Sequence, residues 1–285
     1  MDGEELRIVI MGKTAVGKTA VGNLILGENG FKEEHSLEWG LYFCQREEKV
    51  IHGRRFVLID TPGIFDSDMS EEDLMQEIMS FMSECTPGPH VFILVMEVAR
   101  YTSENHQVVE NLLKYFSDDV FSHMVLLFTH GEDLDDNMSI CDFINKSAVE
   151  EKKSGIQTLK DLAERCGNRV HVVDNKYWNE NSRDLSVLAT LQWFNLSDQA
   201  LREITDMLDK SLRLAEETPW FNVLSEQYDN VEAKNGDESE VMSSREYRQN
   251  KFQLTQLMKS VKTILRDNKG RYYRNEAFIK DRRSR

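Results

Sequence analysis

The sequence predicts an α/β fold in which a mostly parallel sheet is covered by helices. Three observations carry that reading. Apolar, β-rich runs recur between helical patterns; the runs are continuous rather than alternating, as strands buried on both faces require; and each one ends in polar residues. In open α/β sheets, ligands bind beyond the carboxyl ends of the strands, so those polar ends are where function is sought.

Taken in order, "LRIVIM" (6–11) predicts a strand that leads straight into "GKTAVGKT" (12–19), with a helix expected to follow. "RFVLID" (55–60) predicts a strand closing on an aspartate. Helical patterns over 71–85 and 104–116 flank the run "HVFILVMEV" (90–98), and "HMVLLFTH" (123–130) and "RVHVVDN" (169–175) supply the last two strands. Beyond about residue 200 the strand signals stop. Leu201, Ile204, Leu208 and Leu212 recur at helical spacing to about residue 217, and Pro219 breaks the pattern. Residues 229–246 are polar and acidic and read as a connector. Leu254, Leu257, Val261, Ile264 and Leu265 then mark one face of a second amphipathic helix, with Gly270 as its stop. The expected division is an α/β domain over 1–205 and a helical extension over 206–285, with the polar linker inside the extension.

Composition narrows the function classes. The 285 residues carry 35 Lys+Arg against 50 Asp+Glu, and a net charge of -15 argues against nucleic acid as a partner. The 4 cysteines (Cys44, Cys85, Cys141, Cys166) are scattered, with no C-x-x-C pair, as reduced thiols would be. No leader pattern opens the chain, and no run reaches the roughly 18 apolar residues of a membrane span. A soluble, cytoplasmic protein is the expectation.

The chemistry begins in the glycine loop. "GKTAVGKT" fits G-x-x-x-x-G-K-[ST] between a predicted strand and a predicted helix, the context that the motif needs. Small residues let successive N–H groups from Gly12 through Lys13, Thr14, Ala15, Val16 and Gly17 to Lys18, Thr19 and Ala20 point at phosphate oxygens, aided by the positive end of the helix. Lys18 is expected to bridge the terminal phosphates, and the Thr19 hydroxyl to ligate Mg²⁺. The plain alternative is a glycine-rich turn. "LIDTPG" (58–63) adds Asp60, suited to holding a water on Mg²⁺, and Gly63, whose N–H can reach a third phosphate. "LLFTHGED" (126–133) leaves a strand and offers carboxylates. Guanine presents N1–H and N2–H₂ as donors, which a carboxylate accepts in pairs. Glu132 stands at that acid position, after Thr129 and Gly131, and His130 can lie over the base; a solvated acidic loop is the alternative. Asn175, in "VVDNK", is suited to the guanine carbonyl edge.

Together these segments, with the longer match through Gly27 and "ARYTSENHQ" (99–107), resemble the GTPases of immunity-associated proteins (the GIMAP family, with plant relatives), in the septin- and chloroplast-translocon-like branch of GTPases. The likeness spans about residues 6–210 and recurs weakly at "NKGRYYRNEAF" (268–278), while residues 218–250 depart from the family's spacing, as an insertion would. It implies a P-loop GTPase domain, GTP or GDP with Mg²⁺ as ligands, and paired G domains that form a homodimer or oligomer facing each other across their nucleotides.

Two departures bear on mechanism. Switch I normally supplies a threonine to Mg²⁺, yet no threonine lies between Ala20 and Asp60; Ser36 is the one serine there. Many GTPases place a water-orienting glutamine after the D-T-P-G turn, where this chain has Ile64 and Phe65, so isolated hydrolysis should be slow. Arg100, opening "RYTSENHQ", is the candidate to supply the missing charge across a subunit interface; a surface arginine at a strand end is the alternative. Two functions remain open on these residues: a slow GTPase helped in trans, with Arg100 and Lys18 as its catalytic cations, or a nucleotide-controlled scaffold that hydrolyses almost nothing. The last twenty residues (266–285) hold eight Lys/Arg against three acids, a candidate for weak contact with anionic lipid or a protein, or simply a solvated end.

Overall fold

In the computed structural model, which describes residues 5–32, 44–51, 54–64, 66, 69–99, 103–151, 159–174, 247 and 249–274, β1 (Leu6–Met11) sits inside a six-stranded sheet. Its companions are β2 (Gln45–Ile51), β3 (Arg54–Asp60), β4 (Val91–Glu97), β5 (Met124–Thr129) and β6 (Val170–Val172), in the order β2-β3-β1-β4-β5-β6. Every neighbouring pair is parallel except β2 and β3, which run antiparallel with Gln45 opposite Asp60 and Ile51 opposite Arg54. The expected mostly parallel sheet is therefore the observed one, with one further strand. β2 was not legible because QREEKVI has no apolar run. It forms the sheet's edge, where backbone pairing on one side suffices and charges discourage pairing on the other.

Among the described residues the α-helices are α1 (Lys18–Leu26), α2 (Glu71–Glu84), α3 (Ser103–Tyr115), α4 (Ile140–Glu151), α5 (Leu159–Arg165) and α6 (Asn250–Asp267). Alternate residues of β1, β3, β4 and β5 feed two apolar layers. Val9, Val57, Phe92, Leu94, Leu126 and Phe128 pack with α2, α3, α4 and α5. Ile8, Ile10, Leu58, Ile93, Val125 and Leu127 pack with α1 and with Leu254, Leu257, Val261 and Ile264 of α6. Continuous apolar strands are thus explained by cover on both faces, and α6 is half of one cover. Leu254, Leu257, Val261 and Ile264 each contribute roughly 1.5–3 kcal/mol, enough to hold the helix on the sheet. The Gly270 stop is also seen, at φ 68 with its N–H donated to Leu265 O. The chain then turns to the opposite layer, where Tyr273 is buried against Phe92 and Phe116 and its hydroxyl accepts the Ser117 N–H.

The expected helix over 201–217 and the linker at 229–246 lie outside the described residues. Among the described residues no helix is long and apolar enough to cross a membrane. What matters for function is the topology. From β1 the chain goes first to one side (β3) and then to the other (β4), so the carboxyl end of β1 opens at the point where the strand order reverses, the usual place for a ligand crevice.

Candidate functional site

The loop after β1 rises into that crevice. Gly12 cannot carry a side chain, because a Cβ there would lie 2.4 Å from Val95 O of β4. Gly17 caps α1 in the left-handed region at φ 88, turning the chain so that the helix starts at Lys18. Lys18 folds back over the loop and donates from Nζ to Lys13 O at 2.6 Å. Its ammonium is buried, and burial lowers its pKa against the opposing pull of Asp60 and Asp66. A desolvated cation with its countercharge incomplete is poised for an anion. Thr129, at the end of β5, ties the far side of the loop by donating from Oγ1 to Val16 O at 2.8 Å.

Thr19 Oγ1 donates to Asp60 Oδ2 at 2.6 Å. Asp60 is 4% exposed, its pKa is raised by burial, and its Oδ1 is buried without a hydrogen-bond partner. A buried acceptor in that condition costs stability unless a donor or cation meets it. Mg²⁺ fits the pair, since it binds through one or two protein oxygens, substrate phosphates and retained waters. Gly63 presses on the loop from the other side. A Cβ there would lie 1.9 Å from Thr14 Oγ1 and 2.5 Å from Asp66 Oδ2. Asp66, unmarked in the sequence reading, accepts the Thr14 N–H at 2.8 Å, so a carboxylate occupies one of the loop's anion-seeking amides.

The second half of the site stands at the ends of β5 and β6. His130 takes the left-handed conformation at φ 59 and caps the short 3₁₀ turn Gly131–Asp133. Its ring lies between two acids, with Nδ1 3.4 Å from Glu132 Oε1 and Nε2 3.9 Å from Glu97 Oε1. The Glu132 N–H donates to Asp174 Oδ2 at 3.1 Å, and Glu132 Oε2 is buried with no hydrogen-bond partner. Burial first, and then the Asp174 carboxylate, raises the Glu132 pKa. Asp174 itself is 0% exposed. The sequence reading passed over it for its neighbour because nothing local marks a strand-end aspartate as structural.

Of the expected site residues, Gly12 through Ala20, Asp60 and Gly63 lie together at the carboxyl ends of β1 and β3, and His130, Gly131 and Glu132 follow β5 at the same edge of the sheet. Arg100 and Asn175 fall outside the described residues, as do Ser36 and Phe65. Ile64, where a water-orienting side chain would stand, is 0% exposed and belongs to the core layer under α2.

A family model described as the AIG1 family matches residues 6–204. The human protein GTPase IMAP family member 8 is 31% identical over 188 residues, an alignment covering 66% of this chain and 26% of that protein. Immune-associated nucleotide-binding protein 4 of Arabidopsis thaliana is 28% identical over 232 residues, covering 80% of this chain and 68% of that one. The chain thus spans about a quarter of the length of the human relative. A solved structure of Toc33 from Arabidopsis thaliana in complex with GDP and Mg²⁺ aligns with a TM-score of 0.47 at 20% identity, over 62% of this chain and 72% of that one.

Proposed function

We propose, because the chain belongs to the AIG1 family, that it binds guanine nucleotide with Mg²⁺ and acts as a slow GTPase whose GTP form pairs through its G domain. The observation that carries the reading is the constellation at one edge of the sheet: the buried Lys18 ammonium over the loop, the Thr19–Asp60 pair with its unsatisfied oxygen, and the unpartnered Glu132 Oε2. The relatives' names, a GTPase and a nucleotide-binding protein, agree with it. Lys18 neutralises phosphate charge, and the loop amides orient the phosphate chain. Thr19 and Asp60 would hold Mg²⁺, which would supply charge stabilisation to the phosphates. Glu132 accepts the donor edge of guanine, His130 lies over the ring, and Asn175 takes the carbonyl edge.

Little on the chain itself positions water. Ile64 is core, and no threonine stands between Ala20 and Asp60, so hydrolysis relies on charge stabilisation supplied from outside, and Arg100 of a second copy is the candidate. The buried Ile64 equally favours the second reading, a scaffold that binds GTP or GDP with negligible turnover. We place the protein in the cytoplasm, with the basic tail available for weak contact with an anionic surface. One experiment separates the readings. GTP turnover per molecule should rise with protein concentration, Arg100→Ala should remove the rise without weakening GTP binding, and mixing Arg100→Ala with Lys18→Ala should partly restore it. An arginine supplied in trans is worth about 10³- to 10⁵-fold in GTPases that use one. Flat, Arg100-independent turnover leaves the scaffold, and a purified protein without guanine nucleotide affinity removes both.

A further inference from the structure

We propose that Asn250, the first residue of α6, is a positioning residue for purine selection, acting through Asp174 on Glu132. The inference rests on Glu132 being the guanine acceptor. Asn250 is 0% exposed and grips the backbone of Asp174 from both sides: its Oδ1 accepts the Asp174 N–H at 3.0 Å, and its Nδ2 donates to Asp174 O. A side-chain amide with one donor and one acceptor fixes a peptide in two directions at once. Val173 still donates its N–H to Phe128 O of β5 at 2.8 Å, and Asn250 takes over the backbone at the next residue, Asp174. Asp174 passes the constraint on, because its carboxylate accepts the Glu132 N–H at 3.1 Å.

A second attachment lies three residues before. The Tyr247 hydroxyl accepts the N–H of Ile140, which opens α4, at 2.9 Å, and Gln253 of α6 donates to Tyr247 O at 2.9 Å. The start of α6 therefore holds Asp174 after β6 and the beginning of α4, and the loop carrying His130 and Glu132 runs between β5 and α4. Leu254 and Leu257, both 0% exposed, fix that end of the helix in the core. A site that accepts two ring donors must hold its carboxylate to within roughly 0.5 Å, which needs a rigid element behind it. α6 supplies that element from beyond the segment the family model matches, 6–204.

The test compares dissociation constants of GDP and IDP on the full chain, because IDP lacks the 2-amino donor and keeps the phosphates. The wild-type protein should prefer GDP, and Asn250→Ala should cut the preference about tenfold, the scale on which outer partners act on a ligating group. Ser260→Ala serves as the structural control. Its hydroxyl pairs with His171 Nε2 at 2.8 Å elsewhere on α6, so losing it loosens the helix without touching Asp174, and the preference should stand. Tyr247→Phe removes the acceptor for the Ile140 N–H; it should shrink the preference in the same direction, and it decides the matter if Asn250→Ala does not fold. A preference unchanged in Asn250→Ala, or unchanged in Tyr247→Phe should that variant have to decide, overturns the positioning role, as does an equal loss in Ser260→Ala. A wild-type protein that binds GDP and IDP alike overturns the Glu132 assignment and this inference with it.

Discussion

The Thr14 amide, which in the proposed complex faces phosphate, donates instead to the Asp66 carboxylate at 2.8 Å. Asp66 also lies close enough to Lys18 for its charge to favour the ammonium. A carboxylate there balances the loop's positive field when no terminal phosphate is present, and opposes a γ-phosphate when one arrives. GDP lacks that phosphate and meets less opposition. Replacing Asp66 with asparagine keeps an acceptor for the Thr14 N–H and removes the charge. Asp66→Asn should therefore raise affinity for a non-hydrolysable GTP analogue relative to GDP by about fivefold, ~1 kcal/mol. Calorimetric titration of both nucleotides measures it, and an unchanged ratio means that Asp66 yields without cost. Asp60 and Lys18 were legible from their motifs, whereas Asp66 was not, because its role arises from where the turn at Gly63 folds.

Among the elements, α6 joins the core to the site. It carries Asn250 at one end, and Ser260 contacts His171 of β6 midway along. His171 lies in that packed layer with its pKa pushed down to about 3 by burial. An unfolded chain binds a proton at this residue near pH 6.5, while the folded one stays neutral until far lower. Above the unfolded pKa the group contributes nothing to pH dependence. As pH falls below it, the unfolded state gains protons that the native state refuses, and stability drops. By pH 5 the loss is about 2 kcal/mol, at roughly 1.36 kcal/mol per unit. Urea unfolding at pH 7 and pH 5 should show this drop, and His171→Gln should flatten it; an equal slope in the variant would assign the acid sensitivity elsewhere. The element scale also shows what the sequence can carry. The period of α6 was plain from Leu254 to Leu265, and the buried strands declared themselves by continuous apolar runs. Which face α6 covers could not be read, because that depends on a return to β4, β5 and β6 over a long stretch of chain. β2 was hidden for the opposite reason, since an edge strand needs backbone partners and little apolar surface.

For the whole molecule, the net charge of -15 opposes the pairing that the proposed hydrolysis requires. Two copies approaching each other repel over distances set by the salt: the screening length falls from about 30 Å at 0.01 M to about 8 Å at 0.15 M. In the proposed pairing Arg100 is a local exception, because a cation from one copy entering the other's phosphate site would be drawn in at close range. On that proposal, long-range repulsion would govern how often copies meet, and the short-range arginine what happens once they do. These parts are separable. At saturating GTP and Mg²⁺, the protein concentration giving half-maximal turnover should fall severalfold when salt rises from 0.01 to 0.15 M. Arg100→Ala should keep the salt dependence of self-association, followed by sedimentation with a non-hydrolysable GTP analogue, while losing the gain in turnover. If salt instead weakens both association and turnover, the contact surface is held by attractive ion pairs that outweigh the net charge. The acids and bases facing each other across the paired domains, rather than the overall balance, would then set the strength of pairing.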